Sequence, residues 1–482
     1  MIQLPPLYLQ SMQRLLGGEF EAFRGIYSAA AVIGLRANTL KISPGELARR
    51  LPYALRAVPW CPAGFQLIGE PSPDLPRPGK HPYHAAGLYY LQEPSAMAVA
   101  ELLDPQPGER LLDLCAAPGG KTTHLAAKMD GQGVLAANEV HPRRVWELAE
   151  NLERWGTRNA IILNENPPLL AERLPGWFDR VLVDAPCSGE GMFRKSEAAL
   201  RDWSPELVRS CAVRQSAILE AGARLTRPGG VLVYSTCTFN PQENEQTVAG
   251  FLDRHPQFEL AAVQPLPGLS AGRPEWVEGG RSHHLERAAR LWPHQSAGEG
   301  HFIAVLRRSA AELSGDRSPS GSKPVPLDRA AHHRLAAARR AFAAFCQEHL
   351  TPTAQAEFPE DRLKLVGENL YLVPPQAPHP GNLRLIRPGW WLGSFRAGEK
   401  RRGDRFEPSH ALALGLKMDD FQPTLNLEGG SERTLAYLRG EVLDWAGEGG
   451  WVLVGVDGFP LGWGRGVQNR LKNHYPRGLR WA

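Results

Sequence analysis

The chain has 482 residues, 43% of them apolar and 22% charged, with a formal net charge of +4. That balance excludes a disordered chain and fits a globular protein of about three domains, large enough to fold without disulfide or metal staples. Six cysteines with no CxxC pair exclude a disulfide-rich secreted scaffold and a cysteine-type zinc ribbon, and fit a reducing cytoplasm. The first residues read as no signal peptide, and no apolar run approaches the ~18 residues of a membrane span.

In chain order, residues 1–95 read as a small α/β unit. Gly34 to Lys41 is its clearest strand, Pro44 opens a helix capped by Ser43, and the proline-rich run from Pro71 to Pro82 is a loop. Through residues 96–308 short apolar runs alternate with helical stretches, the signature of a mostly parallel, doubly wound α/β sheet. Strands are expected at Leu111–Leu114, Val134–Asn138, Ala160–Leu163, Arg180–Asp184 and Val231–Ser235. Helices are expected at Lys121–Met129, Pro142–Arg154 and Pro205–Leu225, and Phe302–Leu306 is expected to close the sheet as an edge strand.

Residues 309–326, rich in Ser, Gly and Pro, read as a linker. Residues 327–390 read as an intermediate α/β segment that begins with a helix near Ala330 to Leu350 and continues in short strands such as Leu363–Val366 and Leu370–Val373. Residues 391–482 read as a strand-rich domain that includes Trp451–Val456. Its end, from Gly458 to Ala482, contains no acidic residue, while Arg465, Arg470, Lys472, Arg477 and Arg480 contribute +5. Interleaved with Trp463, His474, Tyr475 and Trp481, these charges have the composition of an RNA-contacting surface. A solvated basic tail is the competing reading.

Two segments carry chemistry. Asp113-Leu114-Cys115-Ala116-Ala117-Pro118-Gly119-Gly120-Lys121 follows a strand and opens a helix, the first βα turn of a doubly wound sheet, where glycine lets backbone approach a ligand. Glu139, at the end of the second strand, can accept hydrogen bonds from both hydroxyls of a ribose. GxGxxG and GxxxxGK[ST] are both absent, which argues against a pyrophosphate ligand and for one such as S-adenosylmethionine.

The second segment is a pair of strand ends, Asp184-Ala185-Pro186-Cys187-Ser188-Gly189 and Ser235-Thr236-Cys237-Thr238. Ligands of open α/β sheets bind outside the carboxyl ends of the strands, so both thiols face the cofactor crevice. Two thiols and an acid beside a methyl donor suit alkylation of an unactivated pyrimidine carbon: a thiolate adds to C6, C5 becomes carbanion-like, and a second thiol or a water serves the later proton removal. Cys61, Cys211 and Cys346 read as buried packing.

These segments resemble the Sun-type RNA cytosine-C5 methyltransferases, and more narrowly their bacterial RsmF-like 16S ribosomal RNA branch, over nearly the whole chain. The resemblance implies a Rossmann-like methyltransferase core between a small RNA-facing N-terminal domain and a PUA-like RNA-binding domain at residues 391–482. It implies that Cys115, Ala116, Ala117, Pro118, Gly119, Gly120 and Lys121 form the cofactor loop, with Glu139 as the ribose acid. Asn166 stands where the family often has an aspartate near the adenine.

Asp184 to Gly191 is similar to the family's fourth motif and Ser235 to Thr238 to its sixth, which carries the nucleophile. By that resemblance Cys237 attacks C6, Cys187 assists product release, and Asp184 and Lys121 reach the target base. Arg290 to His294 and Lys472 to Arg480 are similar to the RsmF-like branch as well. The expected protein is a cytoplasmic monomer, using neither metal nor membrane, that methylates cytosine C5 in the decoding region of 16S ribosomal RNA or of the 30S subunit. Two alternatives stand beside it: a transfer RNA cytosine-C5 methyltransferase, and a non-catalytic RNA-binding assembly factor.

Overall fold

In the computed structural model, which describes residues 2–263, 266–278, 280, 281, 283–310, 328–378, 381, 383–398 and 403–481, the first two helices do not cover the sheet that follows them. Helices Pro6–Leu16 and Phe20–Gly25 bury Tyr8, Met12, Phe20 and Phe23 against Phe193, Trp203, Phe239 and Trp292. The N-terminal segment is thus fastened by aromatic contacts to the region that carries the second motif.

Strands β1 (Gly34–Ala37), β2 (Leu55–Val58), β3 (Cys61–Leu67) and β4 (Tyr89–Leu91) form an antiparallel sheet in the order β2-β3-β1-β4. The strand expected through Lys41 stops at Ala37 because Asn38 turns the chain. Its Oδ1 accepts from Leu40 N at 3.1 Å, and its Nδ2 donates to the carbonyls of Gly87 and Trp155, both at 2.8 Å. Such a side-chain turn competes with strand pairing. Ser43 caps helix Pro44–Arg50 by accepting from Glu46 N at 3.2 Å.

The central sheet begins with β5 (Arg110–Asp113), β6 (Val134–Asn138), β7 (Ala160–Leu163), β8 (Phe178–Asp184) and β9 (Thr226–Thr236). It continues with β10 (Phe258–Leu260), β11 (Ser270–Ala271), β12 (Ala289–Leu291) and β13 (His301–Arg308). All five residues of β6 and all four of β7 are buried, since helices cover both faces and the strands therefore read as continuous apolar runs. Alternate residues feed two cores: Leu111, Leu135 and Ala137 on one side, Leu112, Val134 and Ala136 on the other.

The order β11-β12-β13-β9-β8-β5-β6-β7 places β5 beside β8, with β5 to β9 parallel, so the strand order reverses at β5. Strand β13 is antiparallel to β9 and is not an edge: β12 and β10 pair along its other side. Its residues 301–304 are all buried, and a strand left at an edge would expose an unpaired ladder of backbone groups.

Of the expected linker, residues 311–326 lie outside the described residues. Helix Arg329–His349, capped by Asp328, packs Phe342 and Phe345 on an antiparallel sheet of β14 (Leu363–Val366), β15 (Asn369–Leu372), β17 (Trp390–Arg396) and β18 (Arg405–Pro408). That sheet continues across residue 390, where the sequence suggested a domain boundary. Between β15 and β17, strand β16 (Leu385–Arg387) leaves it and pairs with β7, extending the central sheet. The last sheet contains β19 (Thr424–Leu427), β20 (Leu443–Asp444), β21 (Gly450–Val456), β22 (Phe459–Val467) and β23 (Arg470–Asn473) in the order β19-β21-β22-β23-β20. It shares one apolar cluster with the N-terminal sheet, joining Leu35, Leu47 and Tyr89 to Leu427, Tyr437 and Val454. Among the described residues no helix is long and apolar enough to cross a membrane.

Candidate active site

The carboxyl ends of β5 to β9 border a cleft of about 1100 Å³. Leu114, Cys115 and Ala117 line it after β5, Glu139 to His141 after β6, Asn164 to Pro168 after β7, Asp184 to Gly189 after β8 and Cys237 after β9. Met192, Ser196, Asp202 and Arg214 line it as well.

Cys187 Sγ and Cys237 Sγ lie 3.3 Å apart, both unoxidised and partly exposed. Parallel pairing of β8 with β9 sets Asp184 opposite Ser235, so the residues that follow each strand emerge side by side. The hydrogen bond to Cys237, then burial, push the Cys187 thiol well above its ordinary range. Asp184 Oδ2 accepts from Lys121 Nζ at 2.8 Å and Oδ1 from Ser235 Oγ at 2.8 Å. Burial alone would lower the Lys121 pKa, but the charge and hydrogen bond of Asp184 outweigh it and the ammonium is held above its usual value.

The loop after β5 is tied from several sides. Ala116 N donates to Asn138 O at 2.8 Å, Arg144 to Ala117 O at 2.7 Å, Asn151 to Pro118 O at 2.7 Å, and the buried Arg36 to Gly120 O at 2.9 Å. Gly119, at φ +111°, adopts a backbone that favours glycine, with Leu148 pressed behind it. Ala116 is buried, while Pro118 and Gly119 form the back of the turn away from the cleft. Burial pushes the Cys115 thiol well up, so it is an uncharged part of the wall. Asn166 is exposed at the rim, and its side chain makes no capping bond to helix Pro167–Arg173.

The groups present fit an adenine nucleoside carrying a methionine tail. Glu139 is buried with one oxygen bonded to His141 N at 2.8 Å and Arg144 3.7 Å from the other. Asp113, at the root of the loop, accepts from Thr122 Oγ1 at 2.7 Å, and burial pushes its carboxyl up to about 7. Behind the loop, Cys61, Glu101 and His124 approach within 4.8 Å. Lys128 is paired with Glu101 at 2.8 Å, and burial pushes the Cys61 thiol up to about 12, so these three act as hydrogen-bonded packing.

Two buried acids that sequence reasoning passed over bind the thiol loops to one another. Glu190, three residues after Cys187, accepts from Phe239 N at 2.9 Å, on the Cys237 side. Glu243, on the Cys237 side, accepts from Ser188 N at 2.9 Å and from Ser188 Oγ and Gln215 Nε2. Burial pushes Glu243 up to about 7. Gly191 N also donates to Cys237 O at 2.8 Å. The only local signal was an acid a few residues after each cysteine, Glu190 inside the fourth motif and Glu243 beyond the sixth. Arg290 supports the same loop from behind: it pairs with buried Glu245 at 2.6 Å and donates to Phe239 O at 3.2 Å.

The basic C-terminal segment divides between core and surface. Trp463 is 2% exposed and donates to Ser409 O at 2.7 Å, and Tyr475 is 4% exposed against Tyr437 and His410. These two aromatics are therefore core residues, unavailable for stacking on RNA. Arg465, Arg470, Lys472 and Arg477 are exposed. Half-buried Trp451, which composition did not single out, sits opposite Arg465 with the guanidinium 5.7 Å from its ring and His474 at 4.8 Å.

Residues 100–307 match the family described as 16S rRNA methyltransferase RsmB/F. Residues 4–94 match the N-terminal domain of 16S rRNA methyltransferase RsmF, 344–416 the RsmF first C-terminal domain and 424–481 the RsmF PUA domain. The chain is 33% identical to ribosomal RNA small subunit methyltransferase F of Erwinia tasmaniensis, over 98% of this chain and 96% of that protein. With the protein of the same name from Klebsiella pneumoniae it is 34% identical, over 99% and 97%. Among solved structures, a methyltransferase homologue protein from Pyrococcus horikoshii is 32% identical with a TM-score of 0.55, covering 64% of this chain and 96% of that one.

Proposed function

This chain belongs to the RsmB/F family of 16S rRNA methyltransferases, and from that premise we propose that it methylates carbon 5 of a cytosine in the decoding region of 16S ribosomal RNA, from S-adenosylmethionine, through a covalent adduct of Cys237 with C6. The observation that carries the reading is the pair of free thiols 3.3 Å apart beside the Lys121–Asp184 ion pair, at the open end of a parallel sheet.

S-adenosylmethionine, when bound, supplies an electrophilic methyl group. The loop Cys115–Lys121 and Glu139 would hold its methionine and ribose ends, in the cleft that the two thiols also line. Cys237 Sγ adds to C6 of the base, and the electron pair displaced from the ring's C5–C6 double bond makes C5 nucleophilic. Asp184, paired with Lys121, accepts from the amino edge of the cytosine and orients the ring. Before addition, Cys187 donates its proton towards Cys237. Once Cys237 Sγ is bonded to C6, the partly exposed Cys187 passes its thiol proton to solvent, and the resulting thiolate acts as base. It takes the proton from C5, and the C6–S bond then breaks to restore the aromatic ring.

The base must leave its stack to reach this cleft, at a cost of a few kcal/mol. The basic face of the last sheet and the N-terminal unit offset that cost by gripping flanking RNA.

The test is methyl transfer from labelled S-adenosylmethionine to 16S rRNA, 30S subunits and transfer RNA, with the product base mapped. Label on cytosine C5 of 16S rRNA, lost in Cys237→Ala, is expected. Label on transfer RNA alone would move the substrate, and bound cofactor with no label anywhere would leave an assembly factor.

A further inference from the structure

One wall of the cofactor cleft comes from outside the methyltransferase region. Strand β16 lies beyond the 100–307 stretch that matches the RsmB/F family, yet it is the last strand of the central sheet next to β7. It runs antiparallel to β7, with Leu385 opposite Leu163. Its first end, where Arg384 stands, therefore borders the carboxyl ends of the parallel strands.

The backbone of Arg384 is held on both sides. Asn164 N donates to Arg384 O at 2.9 Å, and Arg384 N donates to Glu165 Oε2 at 3.1 Å. Arg387 fastens the far end: it donates to Glu153 Oε1 at 2.9 Å and to Tyr371 OH at 3.1 Å, and lies 4.5 Å from the Trp391 ring. The Arg384 side chain, in contrast, is exposed and lines the cleft beside Asn164, Glu165 and Asn166. Among the described residues its guanidinium has no hydrogen bond or ion pair.

The strand order tells which part of a ligand lies here. The thiols stand at β8 and β9, the glycine loop at β5, the ribose acid at β6 and Arg384 beyond β7. Neighbouring strands are about 4.8 Å apart, so the two steps from β5 to β7 cover about 10 Å, with Arg384 one strand further on. That is the reach of a nucleoside whose sulfur end sits at the loop, whose ribose meets Glu139 and whose base ends at β7.

We propose that Arg384 is a cofactor-binding residue, a planar cation set against the adenine of S-adenosylmethionine. The guanidinium donates to the acceptor nitrogens of the purine or stacks on its face, roles a lysine cannot fully replace. Asn166 and Glu165 supply the acceptors that the exocyclic amine needs. The C-terminal segment thereby completes the cofactor site while its last sheet meets RNA. This inference rests on the S-adenosylmethionine reading above.

The test is calorimetric binding of S-adenosylmethionine and S-adenosylhomocysteine to the full chain, wild type, Arg384→Ala and Arg384→Lys, with KM for RNA measured at saturating cofactor. Both substitutions keep the backbone bonds of β16, and thermal melting checks that they do. Arg384→Ala is expected to weaken both cofactors about tenfold and Arg384→Lys less, with KM for RNA unchanged. Cofactor affinity within twofold of wild type overturns the assignment, and a raised KM for RNA with unchanged cofactor affinity would place Arg384 on the substrate instead. If Arg384→Ala does not fold, the lysine variant decides by the same criteria. A wild-type protein that binds neither cofactor would instead sink the S-adenosylmethionine reading itself.

Discussion

In the cleft, groups from four strand ends converge: Cys187, Cys237, Asp184 and Glu139 line one space and Lys121 bonds Asp184, although they come from separate parts of the chain. The last sheet sorts its residues in the opposite manner. Trp463, Leu471 and Tyr475 go inward, while Arg465, Arg470 and Lys472 go out. The topology accounts for the contrast. Parallel strands bring every loop at their carboxyl ends to one edge, whereas in the last sheet Leu453 and Trp463 pack into one core and Val454 and Leu471 into another, and the charges stand where that cover ends, as Arg470 and Lys472 do on either side of Leu471. One side chain in the cleft can therefore decide a chemical step, and one in the last sheet contributes either packing or charge, rarely both.

The sharpest way to break this contrast is Cys237→Ala. Methyl transfer should fall at least about ten-thousandfold, with cofactor binding retained, as expected when a covalent nucleophile is removed. Retained methylation in that variant would remove Cys237 from the mechanism. In the last sheet, Trp463→Ala should cost about 3–5 kcal/mol in chemical denaturation, because it empties a core site. A normal denaturation midpoint with weakened RNA binding would instead make Trp463 a stacking platform.

Cys187→Ala should slow turnover about a hundredfold and leave the addition step intact. Covalent protein–RNA adduct should accumulate on a denaturing gel, and the Cys237→Ala background should abolish it. An absence of adduct in the single variant would assign the later proton transfer elsewhere.

A smaller effect is expected from pH. Glu243, pushed by burial from 4.5 to about 7, holds its proton in the folded state through a range in which the unfolded chain has lost it. Stability from this group is complete below pH 4.5 and declines as pH rises towards 7, by about 1–3 kcal/mol in all. Asp113, raised from 3.8 to about 7, adds a slope of the same sign. Melting followed from pH 4.5 to 7.5 should show the decline, and Glu243→Gln should reduce its slope, leaving the Asp113 part.

The smallest effect concerns the exposed charges. Arg465→Ala with Lys472→Ala should weaken RNA binding about three- to tenfold and reduce the salt slope by about 2, while the denaturation midpoint stays within error. An unchanged slope would leave these residues as a solvated face.

The central strands were readable because buried parallel strands are unbroken apolar runs, such as Val134–Asn138 and Ala160–Leu163, set off by Gly and Pro. Position at a strand end also brought out Cys187 and Cys237. Other features resisted local reading for identifiable reasons. Asn38 ends its strand through bonds to carbonyls of Gly87 and Trp155, which a local pattern does not reveal. Phe302–Leu306 suggested an edge because β10, β11 and β12 beyond it are only two or three residues long. Glu190 and Glu243 appeared as ordinary acids, since only the crossing of the two loops gives each a backbone N–H to accept from.

The amino-acid sequence by itself determined the parallel core, the order of its strands along the chain, the glycine loop and which thiols follow which strands. These depend on hydrophobic runs and backbone preferences over fewer than about ten residues. Tertiary structure alone decided that two thiols 50 positions apart stand at 3.3 Å, that Trp463 and Tyr475 turn inward, and that β16 closes the cofactor cleft beside β7. Each of these is a contact between distant segments, set by how strands pair and which faces the cores cover, and so lies outside the reach of any local pattern.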